Sequence, residues 1–208
     1  MKKRVLISSF FSANTIYPLV QKLSANKIIL VVEKDLDKLN TEDGKKKNES
    51  LNDVKKKFEG LIELEVLETK SLYNLYEIAK DVVNKIDKLE DSEIIINISE
   101  GRKSLSFGMY FAGYARKEKI NSICYLIKEN NEILKMPFPD FKVNELQRII
   151  LKKLEKKEKS IKELREEILK IRTKSIFYKY LNEMEKEGYL RIGDDVVKIT
   201  DTGKIVLL

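Results

Sequence analysis

Eight consecutive residues, Asn97-Ile98-Ser99-Glu100-Gly101-Arg102-Lys103-Ser104, hold the parts of an anion-binding turn. Glycine permits close approach of the backbone to a ligand, amides at the start of a following helix point outward, and Arg102 and Lys103 add positive charge. The glycine spacing and the Gly-Lys-Ser/Thr ending of a Walker loop are missing. The first apolar run ends in Ser8-Ser9-Phe10-Phe11-Ser12, so the chain has no Gly-x-Gly-x-x-Gly dinucleotide fingerprint there either. A plain strand–helix turn with one glycine and two solvated cations has the same spacing, so the motif alone leaves both readings open.

Composition removes other chemistries. The chain has no histidine, which excludes Ser-His-Asp and Cys-His catalysis and His-ligated metals. The single cysteine, Cys124, lies in an apolar run and reads as a buried small side chain. No metal and no cofactor are expected. Lys and Arg number 41 against 34 Asp and Glu, a net charge of +7 that favours an anionic partner. An ion-paired, heat-adapted surface would also produce a lysine and glutamate excess. With 42% apolar residues a packed core is available, which excludes a disordered tail. The apolar runs are too short to cross a bilayer, and no signal-peptide cleavage site follows Lys2-Lys3-Arg4. A cytoplasmic protein without membrane contact is expected.

The elements that must position the turn are legible as alternating patterns. Strands are expected at Arg4–Phe10, Ile28–Glu33, Ile62–Glu68, Glu93–Ile98, Ser122–Lys128 and Ile133–Met136. Helices are expected at Asn14–Leu23, Leu51–Glu59, Leu72–Lys88 and Leu105–Lys117, with lysine-rich Asn40–Asn52 as a solvated loop. Gly108, Ala112 and Gly113 would let the last of these helices approach the sheet closely. Strands that are apolar throughout and alternate with helices predict an α/β fold, a Rossmann-like and largely parallel sheet covered on both faces. Ligands of such sheets sit at the carboxyl ends of the strands, where the first and fourth strands run into polar loops.

Two prolines in Met136-Pro137-Phe138-Pro139-Asp140 predict a boundary between residues 1–139 and a small domain at 140–208. The second part reads as three short helices and a β-ribbon. Ser160 with Glu163 forms a capping-box pattern, Thr173 can cap the third helix, and Gly188 can end it. That order predicts a winged helix-turn-helix, used either for DNA or as a docking or dimerisation module. Basic residues at the start of the third helix favour double-stranded DNA. The candidate DNA contacts are Arg172, Thr173, Lys174, Ser175 and Lys179, with Arg191 and Lys198 in the ribbon.

The run from Asn97 to Ser104 resembles the Asp/Asn-x-Thr/Ser-x-Gly-x-Lys/Arg motif of CARF domains, the CRISPR-associated Rossmann fold. A polar loop after the first strand, here Ser9 to Asn14, accompanies that motif in the family. With a C-terminal winged helix-turn-helix, the architecture resembles archaeal CARF regulators of antiviral CRISPR loci. The resemblance implies a homodimer with one symmetric pocket for a cyclic oligoadenylate, commonly cyclic tetra-adenylate. It places Phe10, Ser12, Asn14, Ser99, Gly101, Arg102, Lys103 and Ser104 around the ligand. Glu100 departs from what a phosphate's neighbour should be, which points it to a partner's lysine or to solvent instead. It implies a ligand-responsive transcription regulator. The alternative is a ring nuclease that cleaves the ligand, with Lys103 and Ser12 in the catalytic roles and the winged helix serving mainly to dimerise. A regulator of some other nucleotide would need only the fold and the anion loop.

Overall fold

Apolar runs buried on both faces form the centre of the first of two units, Met1–Pro139 and Asp140–Leu208. The computed structural model describes residues 2–33, 42–138, 143–169 and 174–208. In the first unit β1 (Lys3–Ser9), β2 (Lys27–Val32), β3 (Glu63–Glu68), β4 (Ser92–Asn97), β5 (Ile120–Leu126) and β6 (Ile133–Met136) make one sheet in the order β3-β2-β1-β4-β5-β6. All pairings are parallel except β5 with β6, a hairpin across Lys128–Asn131. The connecting helices are α1 (Ala13–Leu23), α2 (Glu42–Phe58), α3 (Leu75–Ile86) and α4 (Lys103–Ala115).

Val5, Ile7, Ile28, Ile29 and Ile96 are fully buried, as unbroken apolar strands under helices on both faces must be. Gly113 lies where a Cβ would strike Ile123, so α4 does approach the sheet closely there. Gly108 serves a different contact: a Cβ on it would strike Ile78 of α3.

One local expectation fails. From Glu42 on, the lysine-rich segment is helical, in α2, rather than a solvated loop. Lys47, Leu51, Val54 and Phe58 recur at helical spacing and face inward, Lys47 among them, and this stripe seats the helix on the core.

Burial also determines the state of Cys124, which is 1% exposed in β5 and whose thiol is pushed up to about 12 by desolvation. A disulfide reagent at mildly alkaline pH should leave the native protein unlabelled and label one thiol in concentrated guanidinium chloride. Rapid labelling of the native chain would contradict the burial of β5.

The second unit contains α5 (Glu145–Lys156), β7 (Lys159–Ser160), α6 (Ile161–Leu169), α7 (Lys174–Lys186), β8 (Leu190–Gly193), β9 (Val196–Ile199) and α8 (Asp201–Leu207), with strand order β7-β9-β8. Ile150, Leu164, Phe177, Leu181 and Val197 are among its core residues. Asn144 and Gln147 form a capping box on α5, and Ser160 and Glu163 exchange the equivalent bonds at α6. Gly188 takes φ +74 after α7. Asp194 and Asp195 both have positive φ, the geometry of a tight hairpin turn matched to strand twist. Among the described residues no helix is long and apolar enough to cross a membrane.

Candidate functional site

The strand order places β1 beside β4, although the connections leaving them run in opposite directions across the sheet. A crevice opens at such a switch point, outside the carboxyl ends of the two strands. The loops there are those carrying Ser9–Ser12 and Ile98–Arg102, and they open α1 and α4.

These two helix starts differ from the others whose caps are described. Asn74, Asn144, Ser160 and Thr200 accept hydrogen bonds from the first turns of α3, α5, α6 and α8. The caps of α1 and α4, Ser12 and Arg102, make no side-chain capping bond, and neither first turn contains an acidic residue. Two helix N-termini therefore point at one crevice, each with its cap amide taken by a buried carboxylate, Glu100 at α1 and Glu33 at α4, and with the next amides left for a ligand. Lys103, Arg102 and Asn14 are exposed at its rim.

Beneath the rim the loops are held by buried polar groups. Asn97 donates to Ser8 Oγ at 2.8 Å, locking the ends of β4 and β1 together. The Ser99 hydroxyl donates to Asn97 and accepts the Leu126 amide at 2.6 Å, so it ties the loop to β5. Ser104 Oγ donates to the Leu72 carbonyl at 2.9 Å. Gly101 has φ +81, and a Cβ on it would lie 3.0 Å from Leu105 Cδ2 and 3.8 Å from the Phe10 carbonyl oxygen. Glycine is required there by conformation and by space.

Two sequence-based assignments change. Phe10 is fully buried: its amide extends the β1 ladder to the Val31 carbonyl, and period-2 alternation turns its ring into the core with Leu6. Its neighbour Phe11 is exposed instead. Glu100 turns inward, away from solvent. It is 4% exposed, accepts the Ser12 amide at 3.0 Å and pairs with Lys128 at 2.7 Å, and this carboxylate raises the Lys128 pKa.

Several contributors carry no sequence motif. Glu33, 5% exposed after β2, accepts the Arg102 amide at 3.1 Å and pairs with Lys47, itself 3% exposed. Burial holds the Lys47 ammonium below its ordinary pKa, an effect opposed by Glu33. Tyr73, 68% exposed, lies with its ring centroid 5.9 Å from the Arg102 guanidinium carbon. Exposed Phe11 and Tyr73 thus supply flat apolar surface close to the cationic rim, as needed to stack a base.

A family model described as "HFX_2341_N:-like, N-terminal" matches residues 7–132, more than half of the chain. The chain belongs to that family. Both loops of the crevice lie inside the HFX_2341_N-like match. No curated protein matches. Among solved structures, Enterococcus italicus Csm6 bound to cyclic hexa-2'-fluoro-hexa-dAMP is 9% identical with a TM-score of 0.54, over 90% of this chain and 55% of that one. Can2 from Sulfobacillus thermosulfidooxidans, in complex with cyclic tetra-adenylate, is 9% identical with a TM-score of 0.46, over 99% of this chain and 63% of that one. Protein VC1899 from Vibrio cholerae is 11% identical with a TM-score of 0.47, over 97% and 63%. The chain thus spans between about half and under two thirds of these proteins. The likeness to Csm6 is one of fold, and the HFX_2341_N-like unit has the Rossmann-like sheet of the CARF fold.

Arg172 and Thr173 lie outside the described residues. Lys174, Ser175 and Lys179 are exposed on α7, and Lys179 lies 3.9 Å from Glu183. Arg191 is exposed on β8, directly opposite Lys198 on β9, which pairs with Glu158 at 2.6 Å.

Proposed function

We propose that the protein is a homodimeric CARF sensor of cyclic oligoadenylate, cyclic tetra-adenylate in the first place, joined to a winged helix-turn-helix that binds double-stranded DNA and regulates transcription. One observation carries the ligand reading. Two helix N-termini without side-chain capping by Ser12 or Arg102 open at the β1/β4 switch point, with Arg102 and Lys103 exposed at the rim and the Tyr73 ring beside Arg102. Backbone amides and cations suit phosphates, and the rings suit bases. The cyclic oligonucleotide bound by Csm6, a protein of the same fold, supports the same ligand class.

In this reading Gly101, Lys103 and Ser104 present the α4 amides to a phosphate, Arg102 and Lys103 neutralise it, and Ser12 and Asn14 do the same at α1. Ser99 acts from beneath, as a positioning residue. The three helices, the β7-β9-β8 sheet and the tight ribbon turn support the winged-helix assignment of the second unit.

The test is calorimetry with cyclic tetra-adenylate on the double variant Arg102→Ala, Lys103→Ala. A charge-assisted hydrogen bond contributes about 1.5–3 kcal/mol, so affinity should fall at least about tenfold. Unchanged affinity with an intact fold would remove this loop from the pocket. Incubation of the wild type with the same ligand separates sensor from ring nuclease. The ring-nuclease reading retains one support, since the Ser12 hydroxyl has no capping role and Lys103 stands in the facing first turn. Linear products would assign catalysis to those two residues.

A further inference from the structure

The turn that opens α1 at the crevice already holds a carboxylate. Glu100 Oε2 accepts the Ser12 amide at 3.0 Å, and its side chain is 2% exposed. The residue is fixed in place: its amide donates to Ser9 Oγ at 3.1 Å, and its carbonyl accepts from Ser106 Oγ at 3.2 Å. A negative charge is thus built in beneath a rim whose helix starts and exposed Arg102 and Lys103 otherwise suit anions. Glu33 receives the Arg102 amide at α4, but it is matched by Lys47, itself buried. Glu100 is matched less well. Lys128 pairs with its other oxygen at 2.7 Å, yet that lysine is 62% exposed and well solvated.

We propose that Glu100 is a specificity-determining residue, which admits phosphodiesters to the crevice and turns away nucleotides that end in a phosphate monoester. The inference rests on the cyclic-oligonucleotide reading above and names what that site excludes. A phosphodiester carries one negative charge, whereas a terminal phosphate carries about 1.5–2 at neutral pH. A phosphate seated on the next amides of α1 would lie roughly 5–6 Å from the Glu100 carboxylate. Because the carboxylate is buried, salt screens it little. At an effective dielectric constant of about 20, one further unit of charge at that distance changes affinity by at least about tenfold. The penalty falls hardest on nucleoside monophosphates and triphosphates, and on opened rings with a phosphate end. A closed ring has no such end. Glutamine would serve equally to receive the Ser12 amide. The charge, which the geometry of the turn does not need, is left to act on the ligand.

Calorimetry with three probes tests the assignment: cyclic tetra-adenylate, linear tetra-adenylate with a 5′-hydroxyl, and the same chain with a 5′-phosphate. The linear probes differ by the terminal phosphate alone, which separates charge from ring closure. For the wild type the 5′-phosphate should bring no gain in affinity. For Glu100→Gln, which keeps an acceptor for the Ser12 amide, it should bring a gain of at least about tenfold. Cyclic tetra-adenylate should tighten in the same variant by a smaller factor. Lys128→Ala leaves the carboxylate without its counter-charge and should shift the balance the opposite way, with the phosphorylated chain the weaker of the two. Both variants should fold, as circular dichroism would verify, since glutamine is isosteric with glutamate and Lys128 is exposed. A wild type that gains from the 5′-phosphate, a Glu100→Gln protein that does not, a Lys128→Ala protein that favours the phosphorylated chain, or a uniform loss of all three ligands in Glu100→Gln would overturn the role of Glu100 and leave the ligand reading standing. A wild type that binds none of the three would overturn both.

Discussion

Replacement of Lys47 by methionine should lower the melting temperature of the N-terminal unit by about 10–15 °C. The Lys47 ammonium is 3% exposed and lies against the Glu33 carboxylate, 6% exposed, under the turn that opens α4. Removing one partner of a buried pair leaves an uncompensated charge, at about 3–5 kcal/mol. For a unit of this size each kcal/mol shifts the midpoint by roughly 3 °C. The Arg102 guanidinium, 4.0 Å away and half exposed, is too distant and too well solvated to replace the lysine. The double variant Lys47→Met, Glu33→Gln should recover most of the loss, because methionine fills the lysine's volume and a neutral amide needs no counter-charge. A scanning-calorimetry midpoint unchanged in Lys47→Met would show that Glu33 is solvated or neutral.

The same pair shows where sequence reading stops. Strand β2 was legible because a strand buried on both faces must be apolar at every position, as Ile28–Val32 is, whereas the edge strand β3 alternates charged and apolar residues. Ser160 with Glu163 and the glycine after α7 were legible because capping is local chemistry. The Glu33–Lys47 pair was not, since its partners lie on different elements and meet only when α2 docks. Lys47 occupies the top of the Lys47-Leu51-Val54-Phe58 stripe, and a lysine in that place reads as solvent-facing. The anion loop was legible as residue types, but its orientation was not. Phe10 and Phe11 are indistinguishable by type, and only the continuation of β1 by one further residue settles which ring enters the core. Glu100 stood inside the motif, yet its inward turn depends on the Ser12 amide and on Lys128, both supplied by other segments.

Charge reversal at Lys174 and Lys179 together should abolish detectable binding to duplex DNA, a loss of more than about a hundredfold at moderate salt. Phe177, Leu181 and Met184 fix α7 in the core, which leaves Lys174, Ser175 and Lys179 on its exposed side. The acidic end of the helix is engaged elsewhere: Glu185 accepts the Ile192 amide at 2.9 Å, and Glu183 accepts from Gln147 at 3.5 Å. The basic start is thus the end available to a phosphate or a base edge. The ribbon adds Arg191 directly opposite Lys198, and like charges facing across strands destabilise a hairpin unless an anion relieves them. Glu158 already neutralises Lys198 in part, so Arg191 should contribute more to the complex. Binding of the wild type to duplex from its own promoter region should weaken steeply with salt, at a logarithmic slope of about 0.9 per neutralised phosphate. The Arg191→Ala variant should reduce that slope by about one per copy while keeping measurable affinity. Cyclic tetra-adenylate affinity should be unchanged in Lys174→Glu, Lys179→Glu, because both residues belong to the second unit and the anion loops to the first. A gel-shift titration with no salt-sensitive complex, with or without the nucleotide, would assign the second unit to dimerisation and shift the functional reading to cleavage of the ligand.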